Sequence, residues 1–275
     1  MENFWPWAAI VAGTVYMTTQ LSTTAKYYVK YFMYHIFCIL LTIVCGPFCL
    51  FRPGSSKNIV VPKLFSKMLL MEWWFGINIK VENGERLLDC KKPSVIVSNH
   101  QSSIDALICI KAGPIGSAPL AKEILFYVPI FGQVCWLCGT IFINRKKGKT
   151  AIDTMKKVGQ QMREYLTSLW IFAEGTRMQV DSIGSFKKGA FHLAVQAQCP
   201  IVPVVIGNYR NVLDCKHCMF EGGDIRVKCL EPISTEGLSA DDVNELLEKC
   251  RNRMVQVYNE DFDAHKDLYG NLNAL

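Results

Sequence analysis

The chain has 275 residues, half of them hydrophobic, with 30 Lys and Arg against 24 Asp and Glu and a formal charge of +6. A slightly positive mean hydropathy is high for a protein free in water, so membrane segments come first; the basic excess alone does not choose among nucleic acid, anionic lipid and a phosphorylated substrate. Twelve scattered cysteines, several inside apolar runs, exclude a small disulfide-rich scaffold and suit a reduced, cytosol-facing setting.

Phe4 to Leu21 is almost uncharged and near the lower length limit for crossing a bilayer. Glu2 precedes it and no small-x-small cleavage site follows, so it reads as a retained segment rather than a signal peptide. Tyr31 to Phe51 is more apolar, with His35 its one ionisable group besides tyrosine and cysteine. Lys26 and Lys30 precede it and Arg52, Lys57, Lys63 and Lys67 follow, an asymmetry that leans toward a cytosolic remainder. Pro53-Gly54-Ser55-Ser56 breaks the pattern and divides the chain into membrane-embedded helical segments over 1–55 and a second domain over 56–275.

Beyond that break, Leu64 to Trp74 predicts an apolar helix touching the membrane, and Ile77 to Val81 alternates as a half-buried strand. Val95-Ile96-Val97 predicts a buried strand, with Ser102 or Ser103 capping a helix from Ile104 to Lys111. Ile141-Phe142-Ile143 and Leu169 to Phe172 predict further strands, Thr150 to Tyr165 and Gly189 to Gln196 helices. Ile201 to Ile206 is a strand whose Pro203 places it near an edge or a bulge. Ser239 to Tyr258 closes the series as an amphipathic helix capped by Ser239. Strands alternating with helices give an α/β fold, in which active residues gather beyond the strand ends. His100, Arg145 and Glu174 each follow a predicted strand, whereas His192 falls among apolar helix residues and reads as core.

A histidine and an aspartate five apart do not share a face of one continuous helix. If His100 ends a strand and Asp105 opens the next helix, the carboxylate can hold one imidazole nitrogen and leave the other as a base. An isolated HxxxxD is more often a structural histidine satisfied by backbone. Arg177 in Glu174-Gly175-Thr176-Arg177 can chelate a phosphate, with Gly175 letting backbone amides approach. Arg145 ends another strand, and Lys146, Lys147 and Lys149 are equally a solvated basic loop. The pairs Cys135/Cys138 and Cys215/Cys218 would make a zinc site only together, and the apolar flanks of the first favour packing.

In order, NHQSSID (99–105), GTIFINR (139–145), FAEGTR (172–177) and IVPV (201–204) resemble the four motifs of the glycerolipid acyltransferase family, most closely its 1-acylglycerol-3-phosphate acyltransferases. The resemblance covers Trp73 to Leu230, and FKKGAFHLAVQAQCPIVPV is similar to eukaryotic members. It implies a mixed α/β sheet with flanking helices and transfer of a fatty acyl group from acyl-CoA to the sn-2 hydroxyl of lysophosphatidic acid. His100 is then the base and Asp105 its support; Glu174, Gly175, Thr176 and Arg177 match the acceptor-binding motif. Arg145 matches a second acceptor-site arginine, Lys122 a recurring lysine, and Pro203 the fourth motif. No metal or cofactor is implied, acyl-CoA being a co-substrate; the bilayer is the expected partner and nucleic acid is not. The expected setting is the endoplasmic reticulum membrane, multi-pass, with the site toward the cytosol. A sibling enzyme using glycerol-3-phosphate or another lysophospholipid, and an inactive membrane scaffold, are the alternatives.

Overall fold

The structure is a computed structural model that describes residues 22–68, 75–88, 93–143, 158–162 and 164–264, together with 9–10, 12–14, 16–17 and 20. Arg145, its following lysines and most of Phe4 to Leu21 lie outside the described residues, as do the ends of the helices expected at Leu64–Trp74 and Thr150–Tyr165.

Helix α1 (Thr23–Cys49) starts at Ser22, whose side chain accepts from the Ala25 amide. It starts eight residues before the apolar run expected from the sequence. Lys26 and Lys30 therefore lie inside the helix instead of flanking it. Lys26 pairs with Glu221, and the Lys30 ammonium donates to the Glu221 carbonyl at 3.2 Å. Among the described residues α1 is the one helix long and apolar enough to cross a membrane. Tyr27, Tyr34, Leu41, Cys45 and Cys49 form a buried stripe along one side, repeating at helical spacing. Phe32, Ile36, Leu40, Ile43 and Phe48 leave the other side apolar and exposed. The buried stripe docks on the domain along the whole helix, from Glu221 at one end to Cys138 beside Cys49 at the other. α1 thus does not stand clear of the domain as a free span would.

After a turn at 51–54, with Gly54 at φ +75, comes α2 (Val60–Met68). Strands β1 (Ile77–Glu82), β2 (Val95–Ser98), β3 (Ser117–Lys122), β4 (Ile141–Ile143), β5 (Ser168–Phe172), β6 (Ile201–Ile206) and β9 (Gly223–Cys229) form one sheet in the order β1-β9-β6-β2-β5-β3-β4. β7 (Leu213–Asp214) and β8 (Met219–Phe220) pair separately. All neighbours are parallel except β6 and β9. β2 and β6 are continuous apolar runs because helices or loops cover both faces, as buried parallel strands require. On one face pack α5 (Gly189–Ala197) and α6 (Val243–Ala264); on the other lie α1 and α3 (Asp105–Ala112). The Ser239–Asp242 capping box begins the turn that leads into α6. Helix α4 (Phe131–Leu137) follows β3 and packs on α1.

One expectation is narrowed and one changes. Of the edge or bulge expected for Pro203 it is the bulge that occurs, on an interior strand. Ile201 bridges Ile233 while Val204 pairs with Cys229, so three steps along β6 meet four along its partner. Pro203 occupies this bulge. Its carbonyl accepts from Leu230 at 2.8 Å, and its ring nitrogen needs no acceptor there. His192 is exposed, because α5 turns Phe191, Leu193, Ala194 and Val195 inward instead.

Candidate active site

β6, β2 and β5 are adjacent and parallel, so their C-terminal ends open on one edge. The chain leaving β2 is fastened there by side chains. Asn99 donates to the Ile206 carbonyl and accepts from the Ile206 amide, both at 2.8 Å, which extends the ladder by one rung. Gln101 donates to the carbonyls of Ile206 and Gly207 at 3.0 and 2.8 Å. Around this tight loop the backbone turns about one carboxylate. Asp105 Oδ2 accepts from the amides of Gln101 and Ser102 at 2.6 and 3.1 Å and from His100 Nδ1 at 2.6 Å. The five-residue spacing is thus the size of a turn wrapped around the aspartate. Asp105 also stands in the first turn of α3, where backbone N–H groups favour a negative charge.

The second oxygen is satisfied from far along the chain. The Tyr209 hydroxyl donates to Asp105 Oδ1 at 2.6 Å and lies 2.9 Å from Ser102 Oγ. Both Tyr209 and Asp105 are fully buried. The His100 side chain is 18% exposed and stacks on Phe172, the last residue of β5, with ring centroids 3.9 Å apart. Its Nε2 is the nitrogen left for a substrate. α1 braces the same loop: the Tyr34 hydroxyl donates to the Ser103 carbonyl at 2.9 Å, and Tyr31 Oη lies 3.3 Å from Ser103 Oγ.

Beyond β5, Gly175 takes φ +72, a turn that favours glycine, and the Met178 amide donates to the His100 carbonyl at 2.8 Å. This contact ties the turn that carries Arg177 to the His100 loop. Arg177 and Thr176 are exposed, and Arg177 has no ion pair among the described residues. Glu174 turns inward: Oε1 accepts from the His100 amide at 3.2 Å, and Oε2 is buried beside Gly184. Burial pushes its carboxyl up to about 7, against the opposing pull of the His100 and Gly184 amides. The segment after Arg177 is strapped to the loop beyond β6. Gln179 donates to the Leu213 carbonyl at 2.8 Å, and Arg210 bridges Asp181 and Asp214 at 2.9 and 3.0 Å.

The structure therefore brings together His100, Asp105, Glu174, Gly175, Thr176 and Arg177. Lys122 ends β3, two strands from β2 on the same edge, and is exposed. Pro203 is buried inside β6 opposite Val97, three residues short of the strand end. The sequence reading missed Tyr209, whose one local signal was the run GNY directly after a buried strand, and gave no role to Asn99 and Gln101 within NHQSSID. The two CxxC pairs lie apart. Cys138 adjoins Cys49 and Cys218 adjoins Tyr28, positions separated along α1 by about 30 Å at 1.5 Å per residue, so they cannot share an ion.

An acyltransferase family model matches residues 78–207. The human 1-acyl-sn-glycerol-3-phosphate acyltransferase alpha is 38% identical over 239 residues, 87% of this chain and 83% of that protein. The Saccharomyces cerevisiae 1-acyl-sn-glycerol-3-phosphate acyltransferase is 40% identical over 193 residues, 70% of this chain and 63% of its own length. The crystal structure of the Thermotoga maritima LPA acyltransferase PlsC shares the fold, with a TM-score of 0.59, 23% identity and coverage of 81% of this chain and 96% of that one. With these similarities spanning the sheet and its His-Asp edge, the chain belongs to the acyltransferase family that includes the 1-acyl-sn-glycerol-3-phosphate acyltransferases.

Proposed function

We propose that the protein transfers a fatty acyl group from acyl-CoA to the sn-2 hydroxyl of 1-acylglycerol-3-phosphate, giving phosphatidic acid and free coenzyme A. The observation that carries this reading is the His100–Asp105 pair, held at the C-terminal edge of three parallel strands and tied by Met178 to the loop that carries exposed Arg177. The activity named for the human and yeast relatives supports the choice of acceptor.

His100 Nε2 takes the proton of the sn-2 hydroxyl as its oxygen attacks the thioester carbonyl carbon. Asp105 keeps the Nδ1 proton on the side away from the substrate and fixes the ring. The tetrahedral intermediate collapses with cleavage of the carbon–sulfur bond, and the imidazolium returns its proton to the departing thiolate. This direct transfer passes through no acyl-enzyme, so none of the twelve cysteines serves as a nucleophile and the chemistry calls for no metal or cofactor. Arg177 pairs with the acceptor phosphate, with Arg145 and Lys122 as further cationic contacts. Gly175 and Thr176 shape that loop, Glu174 fastens it to the His100 amide, and Pro203 shapes the strand beneath it.

Both substrates carry long acyl chains. Bringing about 16 methylenes into water costs about 13 kcal/mol at roughly 0.8 each. The exposed face of α1 supports work at a bilayer, which accepts the chain directly; we place the enzyme at the endoplasmic reticulum membrane, its site toward the cytosol.

The test supplies labelled long-chain acyl-CoA and 1-acylglycerol-3-phosphate to membranes containing the full chain or His100→Ala. Labelled phosphatidic acid from the first alone is the expected result. Equal product from both overturns the base assignment. Product from neither, with turnover of glycerol-3-phosphate or another lysophospholipid, moves the acceptor; no turnover on any acceptor leaves the scaffold reading.

A further inference from the structure

The chemistry above leaves unused an exposed apolar part of the domain, the connection from β3 to β4. A short 3-10 helix (Glu123–Tyr127) leads through Val128-Pro129-Ile130 into α4. Ile124 and Tyr127 are 67% and 66% exposed, Trp136 and Ile130 48% and 47%. Large side chains this close together exceed the scattered apolar residues of an ordinary surface.

The segment is a firm shelf. Gly132 packs so closely that a Cβ there would lie 2.1 Å from the Phe126 carbonyl oxygen, and Gln133 donates to that oxygen at 3.0 Å. The Phe126 ring meets Phe142 of β4 with centroids 5.5 Å apart. Ile130 holds φ +66, unfavourable for a β-branched residue, while keeping its side chain in the open. Two turns of α4 direct Val134 and Leu137 onto Leu41, Cys45 and Cys49 of α1. The shelf is thus anchored on the inward side of α1, and it starts from the same sheet edge as His100.

We infer that residues 124–137 are a second lipid-docking element, a shelf that inserts in the plane of a phospholipid bilayer beside the mouth of the site. Three observations select lipid as the occupant. The shelf packs on α1, the one described helix long and apolar enough to cross a membrane. No Asp, Glu, Lys or Arg interrupts Ile124 to Leu137. Tyr127 and Trp136, its exposed aromatics, are the residue types that favour the headgroup interface. Fourteen residues broken by Pro129 are too short to span, which makes the contact in-plane. The shelf's role, passing acyl chains from the bilayer to the site, rests on the acyl-transfer reading; its contact with lipid does not.

The full chain is reconstituted in phosphatidylcholine vesicles containing a diazirine-bearing phosphatidylcholine, irradiated, and its adducts mapped by mass spectrometry. Adducts on Ile124–Trp136 as well as on α1 are expected. Adducts on α1 alone, or cross-links from the shelf to a second copy of the chain, overturn the proposal. Ile124→Asp combined with Ile130→Asp should lower turnover of vesicle-borne long-chain substrates roughly tenfold while leaving short-chain, water-soluble substrates within about twofold. Equal loss on both overturns the shelf's role in delivery. Should the unaltered chain turn over no acceptor at all, the reaction fails while the adduct map still decides the lipid contact.

Discussion

Among the described residues two His-Asp pairs occur, and their carboxylates are held differently. His100 meets Asp105 at 2.6 Å and His217 meets Asp214 at 2.9 Å, and both carboxylates are fully buried. Both also accept two backbone amides from the adjoining turn. The difference lies in the remaining partner. Asp214 is bonded to the Arg210 guanidinium, which also reaches Asp181, so its charge is neutralised by a resident cation. Asp105 is bonded to the neutral Tyr209 hydroxyl, so among the described residues the imidazole is the one cationisable group directly bonded to it. A His-Asp contact is therefore not enough; its carboxylate must be free to support an imidazolium, and the ring must stand at a strand end with a substrate path. His217 lies in the β7–β8 turn instead.

The strongest challenge to this contrast replaces each histidine. His100→Ala should lower kcat by about a thousandfold, whereas His217→Ala should leave kcat within about threefold and cost ~1 kcal/mol of stability. Comparable activity losses would erase the distinction. Next, Arg210→Met leaves Asp214 buried without its guanidinium. Denaturant unfolding should show about 3 kcal/mol lost, with activity per folded molecule largely kept.

Stability against pH sharpens the comparison further. Burial pushes Asp214 up, but the hydrogen bonds from His217 and Arg210 outweigh it and hold the carboxyl below its ordinary value. A lowered folded pKa contributes stability that is present at neutral pH and lost as acid protonates the group. Glu174 has the opposite sign. Its folded carboxyl titrates near 7, mainly through burial, against an unfolded value of about 4.3. Folding then binds a proton between those values, so stability falls as pH rises through that window and stays lower above it. Glu174→Gln should match the original chain below pH ~4 and exceed it by up to about 3 kcal/mol at pH 8. Unfolding midpoints at both pH values check this, and parallel profiles would overturn it. Tyr209→Phe should have a smaller effect on stability than Glu174→Gln at pH 8, removing one donor from Asp105 Oδ1 for about 1–2 kcal/mol. It should lower kcat about tenfold and shift its pH profile without raising KM.

The sequence by itself determined the central strands and the local half of the site. β2 and β6 are buried on both faces, so their apolar runs are legible without knowing what covers them. His100 and Asp105 are bound by a turn that their own spacing describes, and Glu174 to Arg177 follow directly from a strand. β3, with Pro119 and two alanines, and β9, with alternating polar residues, carry too little apolar signal to be seen apart from the sheet they join. Only the tertiary structure decided that Tyr209, 104 residues away, completes the Asp105 cage, and that Tyr34 reaches the same loop across 69 residues. Those contacts are set by which strand ends are neighbours in the sheet and by which side of α1 turns inward. Neither is written in any short stretch, because each depends on where distant parts of the chain bury their apolar faces.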